Sequence, residues 1–216
     1  MFLSKKQHEV FYNVRDLYLY LHLPVNHLDE EADFTIHDLK DIHYEFPYSS
    51  PVFRQFFFSF VFVKDAFGKY TTDNLAFETV PGTIYFTTPG HYKSYTWKEI
   101  NETYLITLSE AFLRKNAHSD IFEEFPFLLA ETVRPRILQP EAFAEFENIY
   151  EQISKEYLSN NPYRNKVIGK LFVVLLLRIK EHFWKDYNPN YKKNQTSKIT
   201  TILRRILKKI FNRDGA

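Results

Sequence analysis

The chain has 216 residues, a formal net charge of +1 and no cysteine. The absence of cysteine excludes disulfides, thiolate nucleophiles and cysteine-ligated metals, and a charge this close to zero gives no global field that favours nucleic acid or membranes. Hydrophobic residues make up 44% of the chain and aromatic residues 18%, which is ample material for one large domain or for a domain with an appendage.

The sequence contains no segment that predicts secretion or a membrane span. The N-terminal residues include no apolar signal region. The most apolar run, Val167 to Ile179, is shorter than the roughly 20 residues that cross a bilayer. We therefore expect a cytoplasmic protein that does not associate with membranes.

Residues 1–33 are predicted to form a helix followed by an acidic loop. Ser4 and Gln7 have the spacing of a capping box. Apolar residues then follow at helical spacing: Val10, Val14, Leu17 and Leu21.

Two Pro-Gly pairs organise the next region, residues 34–138. Proline fixes φ and glycine tolerates positive φ, so Pro81-Gly82 and Pro89-Gly90 each predict a turn. The β-branched and aromatic run between them predicts a short strand.

Several other short strands are predicted around these turns. The strand candidates are 34–39, 56–63 and 103–108, with a hairpin at 64–69 that ends on Gly68 and a turn at 72–74. Strands at this spacing, without long helices between them, predict an antiparallel β-barrel or jelly roll. The fold class is therefore α+β, because helices follow.

Residues 139–186 are predicted to form an antiparallel helical pair, with helices at 140–157 and 163–184. The middle of the second helix, Leu171 to Leu177, is apolar on every side and must be covered on every side. A partner subunit could complete that cover as a four-helix interface in a homodimer. Burial of the whole helix within one chain is the alternative.

The residues predicted to form the dimer interface lie on this second helix. They are Val167, Leu171, Val174, Leu175 and Arg178.

Residues 187–216 are predicted as a linker and the start of a C-terminal helix. From Ser197 to Asn212 the apolar residues follow helical spacing, and the other face is basic. This basic amphipathic helix has three interpretations. It could cover the core of a further domain, lie on a membrane surface, or contact DNA phosphates.

The order of these segments resembles the N-terminal sensor region of AraC-family transcription regulators, especially the kind common in Bacteroidetes. Phe77 to Gly90 (FETVPGTIYFTTPG) is the most specific match, and Tyr104 to Leu113 (YLITLSEAFL) is similar to a later family segment. The weaker matches are Ile36 to Leu39, Phe57 to Lys69 and Phe125 to Phe127.

The resemblance implies a cupin-like β-barrel, a dimerising helical pair and a C-terminal DNA-binding domain with two helix-turn-helix motifs. Ile202 to Phe211 resembles the helix that leads into that domain, and the domain itself is absent from this sequence. We expect either a truncated chain or a natural regulator without its DNA-binding half.

The resemblance also places the metal-ligand positions of cupins on residues that do not suit a metal. Those positions fall on Phe53, Gln55, Ser59 and Lys93, which are poor ligands for a transition metal. We therefore expect no metal and no cofactor. The alignment near Phe53 could shift by one or two residues, and His43, Glu45 and His91 lie nearby in the sequence.

The predicted ligand site is the barrel interior, where a small-molecule effector, for example a sugar, would bind. The sequence does not fix the strand register. Since side chains alternate between the two faces of a strand, only half of the candidates can face inward. The candidates are Arg54, Phe58 and Phe60 or their strand neighbours, Tyr85, His91, Tyr95 and Trp97. The alternative is that these aromatic side chains simply fill a small barrel.

These observations predict the effector-sensing and dimerising portion of an AraC-type regulator, which is not an enzyme and contacts DNA only through a domain outside this chain. Two alternatives stay open. One is a metal-independent cupin-like enzyme or isomerase acting on a sugar or small acid. The other is a stand-alone dimerising interaction protein.

Overall fold

The computed structural model describes residues 8–25, 28, 32–42, 45–130 and 134–183. The chain divides into two compact units, residues 1–178 and 179–216. In the second unit the described residues are 179–183, which end the last helix. The predicted cap at Ser4 and Gln7 and the predicted linker and basic helix at 187–216 lie outside the described residues.

The described residues form nine strands and five α-helices. The strands are β1 (Glu9–Phe11), β2 (Phe34–Asp38), β3 (Tyr48–Ser49), β4 (Phe53–Gln55), β5 (Phe58–Thr72), β6 (Leu75–Thr79), β7 (Thr83–Thr87), β8 (Tyr92–Leu108) and β9 (Arg136–Ile137). The helices are α1 (Val14–Tyr20), α2 (Glu110–Phe112), α3 (Ile121–Glu124), α4 (Pro140–Tyr157) and α5 (Arg164–Phe183). Among these helices none is both long enough and apolar enough to cross a membrane.

All nine strands belong to one large, mostly antiparallel sheet. Its hydrogen-bonded path runs β1-β4-β8-β5-β7-β9, with β2 and β3 also on β8 and β6 on β5. The pairing of β1 with β4 is parallel. The path is open at both ends, so the α+β class is confirmed, while the closed cupin-like barrel stays a prediction.

The two Pro-Gly turns are present, but the predicted hairpin at 64–69 is wrong. Gly82 and Gly90 have φ of +85° and +92°, as the turns require. The segment 64–69 lies inside β5, which bends through three register shifts against β8. Gly68 is needed for space, because a Cβ there would lie 2.6 Å from Cε3 of Trp97.

The strand register separates large side chains from small ones. Ser59, Val61 and their direct partners on β7 and β8 point to one face of the sheet, which we call the cavity face. Phe58, Phe60 and Phe62 point to the opposite face, the helix face.

Helices α4 and α5 pack on the helix face through aromatic pairs. The ring centroids of Phe60 and Phe172 are 5.0 Å apart in an edge-on arrangement, and those of Phe62 and Phe146 are 6.1 Å apart. Both helices agree with their predicted bounds within a residue or two, because Pro140 begins one and Pro162 separates them.

The N-terminal segment packs on the cavity face. Asn13 caps α1, since its side-chain oxygen accepts a hydrogen bond from the backbone N–H of Arg15 at 2.7 Å. The helix is therefore shorter than predicted, and Val10 lies on β1 instead. Leu17 and Tyr18 are buried, so α1 closes the core on this side.

Candidate functional site

A cavity of about 60 Å³ lies between α1 and the cavity face of the sheet. Since a buried water needs roughly 10–15 Å³ of such space, the cavity has room for a few waters or a small molecule of similar size. Its lining residues are Leu17, Tyr18, Leu21, Leu23, Leu39, Tyr48, Ser50, Gln55, Ser59, Val61, Tyr85, Tyr95, Trp97, Leu105 and Thr107.

Three aromatic side chains, from the two strands on either side of β5, form one wall of the cavity. They are Tyr85 on β7 and Tyr95 and Trp97 on β8. Tyr70 on β5 stacks on both tyrosines, with its ring centroid 4.6 Å from that of Tyr85 and 5.7 Å from that of Tyr95. This stacking holds the Tyr85 and Tyr95 rings in position without a ligand.

A chain of polar side chains crosses the cavity face. Tyr18 donates a hydrogen bond to Oγ1 of Thr107 at 3.1 Å, and Nε2 of Gln55 donates to Oγ of Ser59 at 2.7 Å. The Ser59 and Thr107 hydroxyls are 3.4 Å apart and complete the chain. Each of these buried groups therefore has a partner, as buried polar groups require.

The Tyr85 hydroxyl differs, because it is buried without a hydrogen-bond partner among the described residues. Leaving such a group unpaired costs about 1–3 kcal/mol. Burial, followed by the neighbouring tyrosines Tyr95 and Tyr70, raises the pKa of Tyr85 well above its usual value. The hydroxyl therefore stays protonated and can donate to a molecule in the cavity.

Lys93 is fully buried on β8, two residues before Tyr95. Its Nζ donates to Oγ1 of Thr87 at 2.6 Å and to the carbonyl of Thr88 at 3.1 Å. Burial lowers the pKa of Lys93 to about 7, although Asp73 opposes that shift. Lys93 is not one of the residues that line the cavity.

The predicted ligand residues separate into three groups. Tyr85, Tyr95 and Trp97 line the cavity. Phe58 and Phe60 do not, because they lie on the helix face; their strand neighbours Ser59 and Val61 are the cavity residues of β5.

Arg54 and His91 lie away from the cavity. The Cζ atom of Arg54 is 5.2 Å from the ring centroid of Phe56 and 5.6 Å from that of Tyr92. Nδ1 of His91 is 2.7 Å from a carboxylate oxygen of Asp73. Neither side chain is among those that line the cavity.

The four positions that the family resemblance assigns to metal ligands are all buried: Phe53, Gln55, Ser59 and Lys93. Gln55 bonds Ser59, while Lys93 bonds the Thr87 hydroxyl. In the described part of the chain no group of three or more histidine, aspartate or glutamate side chains is placed to hold a metal ion. The alternative ligand His43 lies outside the described residues.

Helix α5 has one side that the described residues leave partly uncovered. Val174 and Leu177 are 44% and 45% exposed, and Val167 and Leu171 are half-buried on the same side. Leu175 is fully buried, which corrects its predicted place at a subunit interface. Arg178 is exposed, and its Nε is 3.5 Å from a carboxylate oxygen of Glu145 on α4.

Sequence reasoning missed the contribution of the N-terminal segment and of the small polar residues. Leu17, Tyr18, Leu21 and Leu23 reach the cavity from α1 and the turn that follows it. The alternation of small and large residues along β5 and β8 places Ser59 and Thr107 each on the face opposite the bulky residues, but it does not say which face borders the cavity. When β5 and β8 pair, their small residues lie on one face and leave space there, while their bulky residues fill the other face.

Comparisons with known proteins show only distant similarity. No protein-family model matches the chain, and no curated protein matches it in sequence. Among solved structures, the AraC-like transcriptional activator CuxR aligns at 13% identity and a TM-score of 0.39, over 56% of this chain and 42% of that one.

ToxT from Vibrio cholerae aligns at 11% identity and a TM-score of 0.41, over 70% of this chain and 58% of that one. A structure of ToxT from Vibrio cholerae O395 bound to (E)-4-(8-methylnaphthalen-1-yl)but-3-enoic acid gives the same values. The chain thus spans roughly half the length of these proteins. Similarity at this level does not establish a shared fold or function.

Proposed function

We propose that the chain is the effector-sensing and dimerising portion of an AraC-type transcription regulator and not an enzyme. The observation that carries this proposal is a cavity with an unpaired donor on one face of a sheet whose other face holds the helical pair. The motif resemblance at residues 77–90 and 104–113 supports the same family. DNA contact would then belong to a domain outside this chain, in the cytoplasm.

The sheet is a single layer between the cavity and the helices, which makes communication between them direct. Val61 lines the cavity, while its neighbours Phe60 and Phe62 contact α5 and α4. A ligand that shifts Val61 therefore shifts the aromatic contacts of both helices. Such a shift alters the dimer only if the ligand binds the two arrangements with different affinity.

A second link joins the sheet to α4 through polar groups. Nζ of Lys64 lies 2.7 Å from a carboxylate oxygen of Glu147, and the Tyr104 hydroxyl donates to the same carboxylate at 2.5 Å. Tyr104 also stacks on Tyr150, with ring centroids 4.4 Å apart. Strands β5 and β8 are therefore both tied to the helix that pairs with α5.

The homodimer in this proposal uses the exposed side of α5, which we call the α5 stripe. It consists of Val167, Leu171, Val174 and Leu177, spaced by four and three residues so that they form one side of a helix. A second copy of α5 is the occupant we propose, because an isologous contact between two apolar stripes buries both at once.

Replacing Val174 or Leu177 with aspartate is expected to convert the dimer to a monomer at micromolar concentration. An aspartate at this contact would have to lose its water without a partner charge, which is strongly unfavourable. Sedimentation velocity measures the change. The two positions are preferable to Leu175, whose substitution would disrupt the chain's own core.

The matched control is Leu158→Asp, at an apolar residue that is 68% exposed beyond the end of α4 and off the α5 stripe. It should leave the dimer intact and the far-ultraviolet spectrum unchanged. A wild-type protein that is monomeric at every concentration tested would remove the dimer from this proposal.

The regulator assignment is tested by the intact mass of the native protein from its own cell. A mass greater by about 100 residues, one small domain, is the expected result. A mass equal to that of the 216-residue chain would count against direct DNA binding and favour a stand-alone interaction protein.

A further inference from the structure

A second concave site lies where the π-helical turn Leu113–Ala117 meets the connection between α4 and α5. It is an open groove of about 590 Å³, within the roughly 300–1,000 Å³ that is typical of ligand sites. The groove shares no lining residue with the cavity between α1 and the sheet. The proposed effector site therefore leaves this groove unused.

The formal charges along the groove are all positive. Lys115 comes from the π-helical turn, and Arg164 and Lys166 come from the first turn of α5. None of the ten lining residues, all in the described part of the chain, is an aspartate or a glutamate. The exposed amides of Asn160 and Asn165 add further hydrogen-bond donors. A concave surface lined by one sign of charge attracts ligands of the opposite sign.

These cations are available to a ligand. The side chains of Lys115 and Lys166 are exposed and make no hydrogen bond or ion pair with a described residue. Arg164 contacts only uncharged groups of Tyr157: its Nη1 is 3.5 Å from the carbonyl oxygen, and its Cζ is 5.9 Å from the ring centroid. No described carboxylate therefore neutralises any of the three charges.

The connection that forms one side of the groove is held in shape by its own hydrogen bonds. Nδ2 of Asn161 donates to Oε1 of Glu156 at 2.7 Å, and Oγ of Ser159 donates to the same oxygen at 3.4 Å. The side-chain oxygen of Asn161 accepts the backbone N–H of Tyr163 at 2.9 Å. Glu156 is thus engaged behind the connection and is not a lining residue. The site depends on side-chain cations from two elements and not on the end of a helix.

We propose that this groove binds a small polyanion, a molecule that carries two or more phosphate or carboxylate groups. Such a ligand can pair with cations of the π-helical turn and of α5 at once, and linked groups bind more tightly than one group alone. Duplex DNA is a poorer fit, because binding along a phosphate backbone uses roughly 6–10 phosphate contacts and this chain has a net charge of +1. The site is independent of the effector cavity.

Calorimetric titration of the full chain with three probes tests the ligand class: pyrophosphate, orthophosphate and citrate. At low salt we expect pyrophosphate to bind with a Kd below about 1 mM and orthophosphate to bind about tenfold more weakly. Because the cations are exposed, raising the salt should weaken pyrophosphate binding. Citrate distinguishes the two anionic groups: an affinity like that of pyrophosphate means that carboxylates also serve, and a weaker one restricts the site to phosphates.

The double variant Lys115→Met and Lys166→Met tests the location of the site. It should weaken pyrophosphate binding by about tenfold or more. The matched control is the double variant Lys98→Met and Lys155→Met, which removes the same two charges at exposed positions outside the groove. The control should keep the wild-type affinity within about twofold, because distant exposed charges are screened. Circular dichroism checks that both double variants are folded.

Equal losses of affinity in the two double variants would mean that binding follows the net charge of the chain, and would overturn the groove as a site. Pyrophosphate that binds no better than orthophosphate, or does not bind at all, would overturn the polyanion class. If a short DNA duplex binds through Lys115 and Lys166 and pyrophosphate fails to compete with it, the ligand is nucleic acid and the proposal is wrong. None of these outcomes affects the effector cavity, since no lining residue is shared.

Discussion

Replacing Gly169 with alanine is expected to lower the free energy of unfolding by about 2 kcal/mol. Gly169 is buried in α5, where the helix passes the π-helical turn Leu113–Ala117. A Cβ at this position would lie 2.4 Å from both the carbonyl carbon and the oxygen of Asn116. These are backbone atoms that cannot rotate away, so the helix and the turn would have to separate. The strain outweighs the gain of roughly 1 kcal/mol that alanine brings to a helix interior.

Thermal unfolding followed by circular dichroism measures this effect, and a decrease in Tm of roughly 4–8 °C is expected for a chain of this size. Lys166→Ala is the control, because Lys166 is exposed in the same helix and surface changes usually stay within about 0.5 kcal/mol. If Gly169→Ala unfolds at the same temperature as Lys166→Ala, α5 does not pass as close to the backbone of Asn116 as the structure indicates.

Features that depend on local backbone chemistry were predictable from the sequence. The Pro-Gly pairs at 81–82 and 89–90 mark turns because φ is fixed at proline and positive at glycine, and both glycines have positive φ in the structure. The helical pair was predictable for a similar reason, since Pro140 begins α4 and Pro162 separates the two helices.

The face to which each residue of β5 points could not be predicted. A shift of one residue exchanges the two faces of a strand, so the sequence allowed either Phe58 and Phe60 or Ser59 and Val61 to face the cavity. In the structure, the pairing of β5 with β7 and β8 places Ser59 and Val61 on the cavity face. Three bulky phenylalanines then pack against helices, and the small Ser59 leaves the space in which the cavity forms.

The error at residues 64–69 has a related cause. Glycine in a polar segment usually marks a turn, but Gly68 lies within β5 and makes room for the Trp97 ring. The contact joins residues on two strands that meet only in the folded sheet. The contribution of Tyr18 to the cavity was hidden for the same reason, since its hydrogen-bond partner Thr107 lies 89 residues further along the chain.

Replacing Lys93 with methionine is expected to stabilise the protein most at neutral and acidic pH, with an advantage that shrinks as the pH rises. The pKa of Lys93 is lowered by burial from 10.5 to about 7 in the folded protein. Between these values the unfolded chain binds more protons than the folded one, so stability of the wild type rises with pH across this window. Below pH 7 the lysine is protonated in both states, and the cost of burying the charge is fully present.

The expected change is about 2 kcal/mol in the difference between wild type and Lys93→Met from pH 7 to pH 9, since each unit of pKa is worth roughly 1.4 kcal/mol. Urea unfolding at several pH values measures that difference directly. Lys69→Met, at an exposed lysine on the same strand pair, should give a profile parallel to that of the wild type. A parallel profile for Lys93→Met as well would mean that Lys93 is not held neutral in the folded protein. Because methionine fills the same space without a charge, the comparison isolates the proton and not the packing around Thr87.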